Sequence, residues 1–170
     1  MAEFQEGKSE LTALARDIGW REAIAQQFGT GEYLTDERRA AFLDLLPIEG
    51  SEVLEIGPGF GQFTDKIAKR AKRVEALEVD AVQTDFMRER LRQENITNTC
   101  VTTGGSDCTL PYEDSSFDLV ILNLVFEWCA TRLENPMRRR SGACCARSGA
   151  CSNLVASSAW RRRIGSRSDI

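Results

Sequence analysis

The chain contains no histidine. That removes the commonest general base and the commonest metal ligand, and with them a histidine triad or a histidine zinc site. It also has no apolar run near the roughly 20 residues that a helix needs to span a bilayer. Its opening from Met1 to Leu11 is acidic and polar, which is not the pattern of a secretory leader. Basic charge is scarce for a nucleic-acid grip: 22 lysines and arginines face 26 acids, a formal net charge of −4. Six cysteines without a leader predict reduced thiols in a cytoplasm, not a disulfide framework. A length of 170 residues predicts one domain.

What is present is organised around Val53-Leu54-Glu55-Ile56-Gly57-Pro58-Gly59-Phe60-Gly61-Gln62-Phe63-Thr64. A short apolar run reads as a buried strand. Three alternate glycines follow, then an amphipathic helix with Phe63, Ile67 and Ala68 on one face. Glycines let a backbone approach a ligand closely, and a helix N-terminus offers free N–H groups. The spacing is Gly-x-Gly-x-Gly. A dinucleotide fingerprint wants Gly-x-Gly-x-x-Gly, and Gln62 stands where its third glycine would be. A nicotinamide oxidoreductase is therefore a secondary reading.

Residues 9–46 read as helices. Leu11, Leu14, Ala15 and Ile18 fit one face, Gly19 is a stop, and Trp20–Phe28 is a second short helix. Thr35 reads as an N-cap before Asp36-Glu37-Arg38, with Ala41, Phe42, Leu45 and Leu46 as the apolar stripe. These helices either pack on the domain or form a lid, with Trp20 and Tyr33 as contacts. Strands are expected at Glu52–Ile56, Arg73–Val79, Thr99–Thr103 and Phe117–Asn123, with helices at about Phe60–Ala71 and Ala81–Glu94. Val82, Phe86 and Leu91 are the apolar positions of the second. Glu78 ends the second strand 21 positions after Gly57, placed to accept from a ribose diol. Asp80 could do the same if the register slips. Asp107 follows the third strand and a glycine turn, where a carboxylate could accept from an exocyclic amine or simply cap the turn. Glu127 is the only visible candidate for a general base, and a place on a helix surface explains it equally well.

Glu55-x-Gly57-x-Gly59-x-Gly61, then Glu78, then Asp107 with Leu110-Pro111 and Ser116-Phe117-Asp118-Leu119-Val120, resembles the class I S-adenosylmethionine-dependent methyltransferases, small-molecule type, over about residues 36–134. The resemblance implies an α/β fold with a Rossmann-like methyltransferase sheet. It implies that Gly57, Gly59 and Gly61 pass the methionine part of S-adenosylmethionine and that Glu55 holds its amino end through the turn. Glu78 would bind the ribose, Asp107 the adenine amine and the Cys108 N–H a ring nitrogen, with Asn123 near the methyl. The implied partner is a small-molecule acceptor, with no nucleic acid and no membrane. The implied domains are a helical cap over 1–46 and a cofactor domain over 47–134.

The family sheet has seven strands in the order 3-2-1-4-5-7-6, and this chain shows four before periodicity is lost. Residues 135–170 hold eight arginines, no lysine and one acid, against 14 basic and 25 acidic side chains before them. Such a segment resembles DNA read in a wrong frame. In a shifted frame, Gly149–Val155 permits a hydrophobic residue followed by Leu, Lys, Pro, Gly, Gly, the family's phrase before strand five. A frameshift near Pro136-Met137 is thus expected, with strands five to seven missing or scrambled. A genuine basic, disordered tail is the alternative; pairing or metal binding by Cys144, Cys145 and Cys151 is not expected. Strand four is then expected to be an exposed edge, cofactor binding to be weak or absent, and catalysis to be slight. A non-catalytic binding fragment is the third reading.

Overall fold

A computed structural model describes residues 2–29, 32–105, 110–122, 125, 153–156 and 160–163, with the backbone alone at 2–9, 33, 153–156 and 160–163. Six strands form one sheet in the order β3-β2-β1-β4-β5-β6. They are β1 (Glu52–Ile56), β2 (Arg73–Glu78), β3 (Thr99–Thr103), β4 (Leu119–Leu122), β5 (Asn153–Ala156) and β6 (Trp160–Arg163). All neighbours pair in parallel except β5 and β6, which are antiparallel. This is a Rossmann-like α/β sheet, and its first four strands are the four legible in the sequence.

Strand alternation divides the core. Val53, Val74, Leu119 and Ile121 pack with Phe63, Ile67, Ala68 and Ala71 on one face of the sheet. Leu54, Leu77, Val120 and Leu122 pack with Phe117 on the other. A parallel sheet covered on both faces favours near-continuous apolar runs, and β4 reads Leu-Val-Ile-Leu without a polar break. The edge expected at β4 is not observed. Val120, Ile121 and Leu122 pair with Leu154, Val155 and Ala156 of β5, so the ladder continues on that side. Leu154 and Val155 supply β-compatible residues inside an otherwise arginine- and serine-rich stretch.

The helices are α1 (Ala2–Ile18), α2 (Trp20–Phe28), α3 (Glu32–Thr35), α4 (Thr64–Ala68) and α5 (Ala81–Gln93). Helix α1 buries Leu11 and Ala15 beside Phe86 of α5, but Ile18, expected on that face, is 41% exposed at the helix end. Gln93 joins the layers: its amide donates to Ala15 O at 2.7 Å and its Oε1 accepts from Trp20 N at 2.9 Å. Residues Glu37–Leu45 form a 3-10 helix capped by Asp36, not Thr35; the Asp36 side chain accepts from Arg38 N. Three residues per turn select Ala40, Leu43 and Leu46 as the buried row and leave Leu45 77% exposed. Of the stripe read from the sequence, Leu46 is buried and Phe42 packs edge-on against Phe63, whereas Ala41 and Leu45 are exposed.

Helix α4 is shorter than expected, because Gly59–Phe63 runs as turns before it. Its C-terminal end is held by Asn98, whose Nδ2 donates to Ala68 O at 2.8 Å and Ala71 O at 3.1 Å. Removing that half-buried donor strands two helix-end carbonyls. We expect Asn98→Ala to cost about 1–2 kcal/mol, read as a fall in the urea midpoint at unchanged slope.

Candidate functional site

The carboxyl ends of β1 and β2 lie side by side, with Glu55 opposite Ala76 and Ile56 opposite Leu77. Beyond Ile56 the chain turns sharply at Gly57, whose N–H donates to Leu77 O at 2.8 Å. Gly57 has φ +68, and a Cβ there would lie 2.2 Å from Val125 Cγ2, so the residues after β4 close on this turn. Gly59 and Gly61 follow, also with positive φ.

Glu78 meets the same turn from β2. It is 6% exposed, and its Oε2 accepts from Gly59 N at 3.0 Å. Its Oε1 accepts from Val79 N at 2.8 Å and Asp80 N at 3.1 Å. The carboxylate is thereby aimed, and the second motif is bonded to the first. Asp80 is occupied as the N-cap of α5, accepting from Val82 N at 2.9 Å, so the register does not slip.

Glu55 lies beneath the turn, 2% exposed, where strand alternation sends it to the helix-covered face with Val53. Its Oε2 accepts from Thr64 Oγ1 at 2.7 Å. Burial pushes the Glu55 carboxyl up to about 7; the Thr64 hydroxyl and the Arg90 charge oppose this, and the Asp65 and Glu78 charges add to it.

Arg90 is the residue that sequence reasoning missed. It is 2% exposed, and its Nη1 donates to Phe60 O at 3.1 Å and Gly61 O at 2.6 Å. Its Nη2 donates to Asp65 Oδ1 at 3.0 Å, and its guanidinium lies 4.2 Å from the Trp20 ring centroid. Burial lowers its pKa, with the Asp65, Glu94 and Glu55 carboxylates opposing. The available signal was position: Arg90 stands four residues after Phe86, on the helix face that should be apolar.

Of the expected site residues, Glu55, Gly57, Gly59, Gly61 and Glu78 come together here. Asp107, Cys108 and Asn123 lie outside the described residues, as do Glu127 and the Tyr33 side chain. Trp20 is buried against Arg90 and donates from Nε1 to Glu94 Oε1 at 2.8 Å, which is the packing reading of α2. Among the described residues no helix is long and apolar enough to cross a membrane.

A mostly parallel sheet carrying a glycine turn after β1 and an acid at the end of β2 defines a nucleotide-type α/β binding protein. Residues 54–144 match the family described as "Methyltransferase domain", more than half of the chain, and the chain belongs to that family. The family's cofactor is S-adenosylmethionine. The biotin biosynthesis bifunctional protein BioHC of Cellvibrio japonicus is 32% identical over 119 residues, 65% of this chain and 23% of that protein. A probable ribosomal RNA small subunit methyltransferase A of Methanosphaera stadtmanae is 33% identical over 97 residues, 56% of this chain and 35% of that one. The chain thus spans about a quarter to a third of these relatives. A SAM-dependent methyltransferase from Aquifex aeolicus has the same fold, with TM-score 0.55 and 17% identity over 74% of this chain and 65% of its own.

Proposed function

We propose that residues 47–134 hold S-adenosylmethionine and that the protein transfers its methyl group to a small-molecule acceptor. One observation carries this reading: the Glu78 carboxylate is bonded to the Gly59 N–H, so a ribose acceptor and the glycine turn form one unit. The residues fit the cofactor. Gly59 has φ +61, and among the described residues only Gln83 Oε1, at 3.7 Å, comes within 4 Å of its Cβ position, so the turn is open there. In this reading Gly57, Gly59 and Gly61 pass the methionine part, Glu55 holds its amino end through the turn, and Glu78 takes the ribose hydroxyls. Asp107 and the Cys108 N–H receive the adenine, and Asn123 stands near the methyl.

When bound, the cofactor supplies an electrophilic methyl on a sulfonium with its own leaving group. The protein's part is then to orient an acceptor in line, which needs no histidine. The excess of 25 acids over 14 bases in residues 1–134 favours a small acceptor over RNA. Residues 1–46 form a helical cap. Residues 135–170 are read as out of frame, which impairs transfer by this chain; sequencing the source DNA decides that point, since a single-base change must restore the Leu-Lys-Pro-Gly-Gly phrase.

Isothermal titration with S-adenosylhomocysteine tests the site. Weak one-to-one saturation is expected, lost in Gly59→Arg and weakened about tenfold further in Glu78→Ala, the loss expected when a bidentate hydrogen-bond acceptor goes. NAD is expected not to compete. Absence of saturable binding by folded protein would overturn the reading.

A further inference from the structure

A buried arginine is costly unless its donors are paired. Arg90 spends two hydrogen bonds on the glycine turn, at Phe60 O and Gly61 O, and a third on Asp65 in the helix that follows. Its guanidinium carbon lies over the ring of Trp20, the first residue of α2, 4.2 Å from the centroid. Phe28, the last residue of α2, meets Phe60 of the turn at 5.7 Å between centroids, and Phe60 in turn meets Phe86 of α5 edge-on at 5.4 Å. Helix α2 therefore bears on the turn at both ends, directly through Phe28 and indirectly through Trp20 and Arg90.

We propose that Arg90 is a positioning residue that fixes the backbone of the glycine turn by its carbonyls, and that the docking of α2 through Trp20 holds Arg90 in place. The N-terminal helices then act from behind the turn, setting cofactor affinity without touching the cofactor. A guanidinium suits this task because its fork reaches two carbonyls and a carboxylate while its charge lies over an indole. A lysine has one nitrogen and no face to stack. The inference rests on the cofactor reading above only for its consequence; the hold on the turn is a property of the free protein.

Two measurements on the full chain separate these levels. Hydrogen–deuterium exchange over residues 57–64 reads the hold directly. In Arg90→Met we expect exchange there to quicken about tenfold while the amides of β2 keep their protection. S-adenosylhomocysteine affinity should fall about tenfold in the same variant, with partial recovery in Arg90→Lys. Trp20→Leu should quicken turn exchange by a smaller factor, about threefold, and add nothing in the Arg90→Met background, because both act through one contact. Unchanged turn exchange in a folded Arg90→Met overturns the proposal, as does an equal effect of Trp20→Leu in both backgrounds. Should Arg90→Met fail to fold, Trp20→Leu alone decides, and unchanged turn exchange there sinks it. A wild-type chain that does not bind S-adenosylhomocysteine defeats the proposed function, and exchange still judges the hold.

Discussion

Gly57→Ala is expected to destabilise the protein by about 2–5 kcal/mol, from two separable causes. The backbone at Gly57 has φ +68, a left-handed conformation that costs a residue with a Cβ about 1–2 kcal/mol. The added methyl would also lie 2.2 Å from Cγ2 and 3.1 Å from Cγ1 of Val125, and forcing a methyl into a filled site costs about 1–3 kcal/mol. Gly50 separates the terms. Its φ is +70 and nothing lies within 4 Å of its Cβ position, so Gly50→Ala carries the backbone cost alone. Val125→Ala in the Gly57→Ala background should restore the packing part and leave the backbone part. Urea unfolding of the four proteins reads all of this. If Gly57→Ala costs no more than Gly50→Ala, Val125 does not close on the turn. The same substitution should weaken S-adenosylhomocysteine binding, because relieving the clash with Val125 shifts the turn whose Gly59 N–H holds the Glu78 carboxylate.

The turn was legible because its constraints are local. Three alternate glycines between an apolar run and an amphipathic stretch leave few other conformations, and Glu78 followed from its distance along the chain. Strand β4 was legible for a similar reason: a strand covered on both faces reads as a near-continuous apolar run. What escaped were features fixed by distant partners. Arg90 sits on an apolar face because Phe60, Gly61, Asp65 and Trp20 converge on it, and none of these is near it in sequence. The 3-10 helix at Glu37–Leu45 differs from an α-helix only in period, and the row Ala40, Leu43, Leu46 becomes visible once three residues per turn are counted. The partner of β4 was hidden by composition, since two apolar residues among arginines and serines give no periodic signal. Glu55 is an intermediate case. Its place in the motif was clear, but its burial follows from the alternation of β1 beneath α4 and α5.

That burial makes Glu55 the source of the largest pH effect expected between pH 4.5 and 7 among the described residues. Its carboxyl titrates at about 7 in the folded protein, above its ordinary value of 4.5. Below 4.5 both folded and unfolded chains hold the proton, and stability is complete. As pH rises from 4.5 toward 7, the unfolded chain releases the proton and the folded one keeps it, so stability falls. Above about 7 both are ionised and the loss is constant, roughly 3 kcal/mol in all. The window is unusually clear, because the chain has no histidine to titrate within it. Glu89 acts elsewhere: its hydrogen bond with Arg92 holds its carboxyl down at about 2, so its contribution is present above 4.5 and is lost only as pH falls toward 2. Glu55→Gln keeps an acceptor for the Thr64 hydroxyl and removes the titration. We therefore expect the wild-type unfolding free energy to decline between about pH 5 and about pH 7.5 and that of Glu55→Gln to stay nearly level. Parallel declines would show that the loss does not belong to Glu55. Ligand binding should run the opposite way. A cationic amino end held through the turn favours the ionised carboxyl, so S-adenosylhomocysteine should bind more tightly as pH rises through the same window and should release a proton in calorimetry within it. Proton release that persists in Glu55→Gln would assign the charge to another group.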